Sequence, residues 1–287
     1  YAVTHLGYGP LHPETMLSPR VAPPMIGLGL LEAIPAKHIL ARADPDDADG
    51  DGISGRANRV WSHVEGKLAL GRFGWKAGAP SVLEQSAGAF AGDMGISSRL
   101  LPMVWGDCTS AQSRCRASPQ GASDMNAEVS DKLLRLVVFY AQNLAVPRRR
   151  KPSAENVLAG RRIFRTIGCA DCHTPSFTTG PSPGAPHLSG QLIWPYTDLL
   201  LHDMGAGLAD NRPEGRASGQ EWKTPPLWGV GLTKVVSGHT NLLHDGRARS
   251  IMEAILWHGG EAQASRDRFA QLSRADRERL IAFINSL

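Results

Sequence analysis

Two cysteines three residues apart, followed at once by a histidine, form the segment Cys169-Ala-Asp-Cys172-His173. This is the attachment pattern of a c-type haem. One short turn lets both sulfurs form thioethers to the vinyl groups while the imidazole swings under the ring to bind iron. A bare pair of thiols at this spacing would equally suit zinc or a redox dithiol. The adjacent histidine and the lack of a second Cys-X-X-Cys in the sequence argue against a closed zinc site. A thiol–disulfide oxidoreductase using Cys169 and Cys172 is the competing reading, but such a motif belongs after a strand in a βαβ unit. The residues before Cys169 read as a helix instead.

A six-coordinate haem needs a second axial ligand. Ser250, three before Glu253, has the form of a capping box opening a helix that stops at Gly259-Gly260. Ile251, Ile255 and His258 share one face of it, so His258 is one candidate. Met204 is the competing ligand, because thioether–imidazole ligation raises haem potential.

A second pattern suggests a hard cation. In the loop from Asp44 to Ser54, Asp47, Asp49, Asp51 and Gly52 match positions 1, 3, 5 and 6 of the calcium-loop template. Asn58 stands at position 12, where the template has a bidentate glutamate. A solvated acidic loop is the plainer alternative. The crowded carboxylates of this loop repel one another without a cation, which favours calcium.

These groups must be positioned by a chain of 287 residues, long enough for two domains, with 42% hydrophobic and 20% charged residues. That composition is globular, and no apolar run approaches the roughly 18 residues needed to cross a bilayer. The net charge of +4 is modest, and Arg148-Arg149-Arg150-Lys151 reads as a solvated linker rather than a nucleic-acid patch. Cys108 and Cys115 form an even remainder once the haem pair is set aside, which predicts a disulfide in an oxidising compartment. Haem c attachment points to the periplasm.

Helical periodicity predicts a helix over Ala122–Leu144, with Val129, Leu133, Leu136, Val137, Tyr140 and Leu144 on one face. Val146-Pro147 and the basic stretch mark a boundary between residues 1–147 and 148–287. A helix over Ser153–Ile167 precedes the haem motif, with Gly160 leaving room for a close helix crossing. A last helix over Arg274–Leu287 carries the stripe Leu280, Phe283, Ile284 and Leu287, and Ser273 with Asp276 forms its cap. Met25–Ile34 suggests a short helix, and the rest of the N-terminal half reads as loops and short helices.

Several further segments resemble the di-haem c-type oxidoreductases, relatives of bacterial cytochrome c peroxidase and of the methylamine-utilisation di-haem enzyme. They are Arg72-Phe73-Gly74-Trp75-Lys76-Ala77, Glu84-Gln85, Gly92-Asp93-Met94-Gly95, Thr224-Pro225-Pro226-Leu227, His244-Asp245-Gly246 and the C-terminal helix. The resemblance covers most of the chain in order. It implies a mainly α fold: a cytochrome c-like C-terminal domain, 148–287, and an irregular, loop-rich α domain, 1–147, belonging to the peroxidatic side. By position, Trp75 matches the tryptophan relay between the haems and Gln85 a glutamine of the peroxidatic pocket. Asp93 matches the catalytic glutamate with a two-residue gap. His258 falls where relatives carry the second axial ligand, which favours it over Met204. The backbone at His239–Asn241 matches part of the relatives' calcium site, a second location for that ion.

The implied function is peroxide reduction in the periplasm. Electrons from a small cytochrome or cupredoxin would enter at the His173 haem and pass through Trp75 to a peroxidatic haem; a variant oxidises a protein substrate instead. A mono-haem electron carrier is the alternative. The resemblance departs in one respect: relatives carry two Cys-X-X-Cys-His motifs and this sequence has one. We therefore expect a second haem segment upstream of Tyr1. The resemblance also admits a homodimer.

Overall fold

The computed structural model describes residues 2–122, 127–182 and 184–287. Among them are eleven α-helices and three two-stranded antiparallel sheets, joined by long irregular segments. The expectation of a mainly α fold is thereby corrected to a mixed, loop-rich one. The 31 glycines and 20 prolines explain why: they punctuate the chain so often that the longest helices reach only 13 residues. No described helix is long and apolar enough to cross a membrane.

The first half contributes α1 (Leu28–Glu32), α2 (Ala36–Leu40), the hairpin β1 (Arg59–Ser62) with β2 (Lys67–Leu70), α3 (Val82–Gly92), α4 (Ser113–Arg116) and α5 (Asp131–Asn143). Then come α6 (Glu155–Thr166), the single turn α7 (Cys169–Cys172), β3 (Phe177–Thr178) paired with β4 (Leu192–Ile193), and β5 (Leu201–Asp203) paired with β6 (Glu221–Lys223). The chain closes with α8 (Thr233–Ser237), α9 (Ile251–Trp257), α10 (Gln263–Gln271) and α11 (Arg274–Ser286). Cys108 and Cys115 are bonded to each other with Cα atoms 6.0 Å apart, as their pairing predicted.

Two apolar cores organise these elements. One gathers α1, α3 and α5 with Phe177, Ile193, Leu199, Leu200 and Trp228. The other is built from α6 and α11 with Tyr196 and Phe269. At the α6–α11 crossing the helices touch at Gly160. A Cβ there would overlap the carbonyl oxygen of Arg279 and come within 2.7 Å of Phe283 Cβ, so glycine is required for the close approach. The predicted stripe of α11 is entirely buried, and Ser273 Oγ accepts from Asp276 N at 3.1 Å.

Two local expectations fail. In α5 the buried face is Leu134, Val138 and Ala141, whereas Leu133, Leu136 and Tyr140 are more than half exposed. This helix is apolar on opposite sides, so periodicity finds a stripe without saying which one faces the core. Its predicted start falls partly on residues 123–126, outside the described residues. The basic stretch is likewise only partly solvated. Arg149 lies 5.1 Å over the Phe283 ring, and Arg150 N donates to Ser286 O at 2.9 Å, so the two dock on the end of α11.

The segment 195–200 runs between the cores, with Tyr196 in one and Leu199 and Leu200 in the other. Tyr196 and Leu199 have φ of 54° and 64°, a costly backbone for side-chain-bearing residues. Buried hydrogen bonds hold it: Thr197 N donates to Thr174 O, Thr197 Oγ1 to Thr224 O, Leu199 N to Thr197 Oγ1 and Leu200 N to Asp198 Oδ1.

Candidate haem-binding site

Cys169, Cys172, His173 and His258 all line one largely apolar cavity of about 700 Å3, together with Met204 and Trp75. α6 ends at Thr166, Gly168 turns the chain with φ 92°, and α7 presents the two thiols on a single helical turn. The two sulfurs are not bonded to each other. Burial pushes Cys169 up to about 12 and also raises Cys172. A catalytic dithiol needs the opposite shift, because the thiolate is the nucleophile. The turn also follows a helix rather than a strand. Both observations weigh against thiol–disulfide exchange.

The two imidazoles are held alike. His173 Nδ1 lies 3.0 Å from Tyr196 O and His258 Nδ1 lies 2.7 Å from Ala254 O. A carbonyl only accepts, so each Nδ1 carries the proton and donates it, and each Nε2 keeps a free lone pair. That is the tautomer and orientation a metal-bound histidine requires. Burial pushes His173 down to about 4 and lowers His258, which keeps both rings neutral and able to ligate. The ring of His173 also packs against Phe164, centroids 6.2 Å apart, within a cluster of Phe164, Tyr196 and Phe283. His258 sits just past α9, whose cap is the predicted one: Ser250 Oγ accepts from Glu253 N at 3.1 Å. The donor set therefore suits a c-type haem with two histidine ligands. Met204 borders the same cavity but lacks an equivalent restraint on its side chain.

Beside Cys172 lies a group that spacing does not reveal. His202 Nε2 is 2.8 Å from Asp198 Oδ2, and His202 Nδ1 is 2.7 Å from Glu261 Oε2 and 3.6 Å from Cys172 Sγ. With an acceptor at each nitrogen, both must donate, so the ring is an imidazolium. Burial alone would lower its pKa, but the two carboxylates hold it well above the ordinary range. Glu261 in turn is held down to about 2, against the effect of burial, by His202, Ser54 and the Asp203 amide.

Trp75 is the one predicted catalytic residue on this cavity. Its Nε1 donates to Val21 O at 2.7 Å, and its ring meets His244 edge-on at 6.5 Å. His244 is stacked at 3.7 Å on Trp222, another lining residue that sequence reasoning missed. The position of Trp222, two before Thr224-Pro225-Pro226-Leu227, was its only signal. Gln85 and Asp93 do not join the site: both are exposed on α3 or its C-terminal end, and neither lines the cavity.

In the acidic loop, the carboxylates that converge within 4.8 Å of one another are those of Asp44, Asp47 and Asp49. Asp51 is not in that set; its Oδ1 accepts from Ile53 N at 2.8 Å. Asn58 belongs elsewhere, buried and donating to Lys76 O and Glu214 O. His239 and Asn241 lie on the cavity's rim in an exposed loop.

A family model described as "Di-haem oxidoreductase, putative peroxidase" matches residues 11–287. No curated protein matches the chain in sequence. Among solved structures, a chain of Kuenenia stuttgartiensis hydrazine synthase pressurized with 20 bar xenon aligns at 16% identity, with a TM-score of 0.35. That alignment covers 100% of this chain and 98% of that one. At such a score it carries no argument about this protein.

Proposed function

Since the chain belongs to the di-haem oxidoreductase family, we propose that it is a periplasmic electron-transfer oxidoreductase whose residues 148–287 carry a c-type haem in the cavity between His173 and His258. The observation behind this reading is the matched restraint of the two imidazoles on one cavity that also holds both thiols. Cys169 and Cys172 would hold the group covalently, and the Nε2 atoms of His173 and His258 would bind its iron. Haem c supplies a one-electron couple. Phe164, Ile255 and the rest of the apolar wall would exclude water from it, and the carbonyls of Tyr196 and Ala254 fix both imidazole rings.

Two histidine ligands leave no open position, so the role assigned to this site is electron entry rather than peroxide cleavage. Electrons from a small cytochrome or cupredoxin would leave through Trp75, whose ring adjoins the His244–Trp222 stack. Peroxide chemistry would belong to a second haem near Gln85 and Asp93, with Asp93 as general acid–base. These 287 residues hold one Cys-X-X-Cys-His motif, so other residues would attach that haem. The alternative, a mono-haem carrier, is favoured by the exposure of Gln85 and Asp93 away from the cavity. We also propose a calcium ion at Asp44, Asp47 and Asp49. A rise in Tm on adding calcium, reversed by a chelator, is expected, and an unchanged Tm removes that ion.

The test of the main reading is an alkaline pyridine haemochrome spectrum with an intact mass. One haem joined through Cys169 and Cys172 is expected. Free thiols at both positions in the mature protein exclude it.

A further inference from the structure

Lys76 and Lys223 are both buried in this fold, and their ammonium groups are treated differently. Lys76 is fully buried, and its three donors are all used: Nζ meets Asp210 Oδ1 at 2.8 Å, Arg212 O at 2.9 Å and Ser218 O at 2.6 Å. Lys223, at the end of β6, is 6% exposed and lines the haem cavity. Its Nζ makes one long bond, 3.4 Å, to the carbonyl of the next residue, Thr224. Among the described residues no carboxylate lies within ion-pair distance of it. The acid that acts on it, Asp198, has both oxygens committed, Oδ2 to His202 and Oδ1 to Leu200 N. His202, the other cation on this wall, is already matched by two carboxylates.

A buried ammonium with unused donors is costly unless an anion meets it. The wall around Lys223 supplies none within ion-pair distance, Asp198 being committed to His202 and Leu200, and the cavity that Lys223 lines is the one assigned to the haem. The group that would occupy this space brings two carboxylates of its own. We propose that Lys223 is the counter-ion of a haem propionate, anchoring that edge of the ring through Nζ. This rests on the haem reading above and assigns the residue a positioning role. Burial pushes Lys223 down to about 8 when no such anion is present, and pairing with a propionate favours the charged form.

The experiment uses the mature haem-bearing protein, with attached haem first counted by pyridine haemochrome. K223Q and K223M should lower the midpoint potential, because losing a nearby positive charge stabilises ferric iron. They should also shift the propionate bending band in the resonance Raman spectrum, and K223R should return both toward the unsubstituted values. In case the neutral variants fail to mature, lysine labelled with 15N in the unsubstituted protein gives an independent readout. Besides Lys76, one exchange-protected ammonium resonance should move between the ferric and ferrous states. An attached haem with unchanged potential and Raman band in K223Q and K223M, or no lysine resonance displaced by the change of redox state, overturns the Lys223 assignment alone. Absence of attached haem overturns it together with the haem reading.

Discussion

The wall of the cavity and the flank of α3 hold their chemically capable residues in opposite ways. Around the cavity, His173, His258, His202 and Trp75 each have a ring nitrogen fixed by a named acceptor at 2.7–3.0 Å. On α3, Gln85 and Asp93 stand exposed. The difference teaches where this chain is preorganised. A group held by restrained, half-buried ligands belongs to the cavity, and surface residues on α3 do not constitute a pocket by themselves. Preorganisation of that kind separates a cofactor site from a collection of suitable side chains.

Four results would break or sharpen this contrast. The largest effect is expected from Cys169→Ala with Cys172→Ala, which should abolish covalent haem on a denaturing gel stained for haem. Retained stain would remove the attachment assignment. Next is Gly160→Ala, which forces a methyl into the Arg279 carbonyl at the α6–α11 crossing. Overpacking of this kind should cost about 3 kcal/mol in denaturant unfolding, and a loss below about 0.5 kcal/mol would mean the helices separate freely.

The third concerns the ion pair behind Trp222. Asp210 is raised by burial, but Lys76, Ser18 and the Arg212 amide outweigh that and hold it at about 2, from an ordinary 3.8; its side chain is 4% exposed. A carboxylate with a depressed folded pKa contributes stability above its ordinary pKa and loses it on acidification. About 2 kcal/mol should therefore disappear between about pH 4 and pH 2. Urea unfolding across that window tests it, and Asp210→Asn should flatten the acid limb. The smallest effects belong to α3. Gln85→Ala and Asp93→Asn should change stability by less than about 0.5 kcal/mol and leave the spectrum of the His173 haem unaltered. A shifted spectrum would join the two regions after all.

Much of the cavity wall was legible because its determinants are local. Cys169 to His173 lie within one turn, Ser250 with Glu253 and Ser273 with Asp276 cap their own helices, and Gly160 marks a crossing by lacking a side chain. What escaped depends on partners distant in sequence. His202 acquires its charge from Glu261, 59 residues on, and from Asp198 in a strained segment. Lys223 looks like any strand lysine until its neighbours are known, and the Trp222–His244 stack joins residues 22 apart. The face of α5 was misjudged for a related reason: Leu133 and Leu134 are equally apolar, and only packing against α1 and α3 selects between them. Trp75, placed by resemblance between two haems, lines the cavity; Gln85 and Asp93, placed by the same resemblance at the other haem, lie exposed away from it.

The central claim is that His173 and His258 are the two ligands of a haem in this cavity. The ferric electronic absorption spectrum of His258→Gly beside that of the unsubstituted protein tests it most directly. The unsubstituted protein should be low-spin and the variant high-spin, with added imidazole restoring the low-spin spectrum. A variant that stays low-spin without imidazole would contradict the assignment and pass the ligand position to Met204.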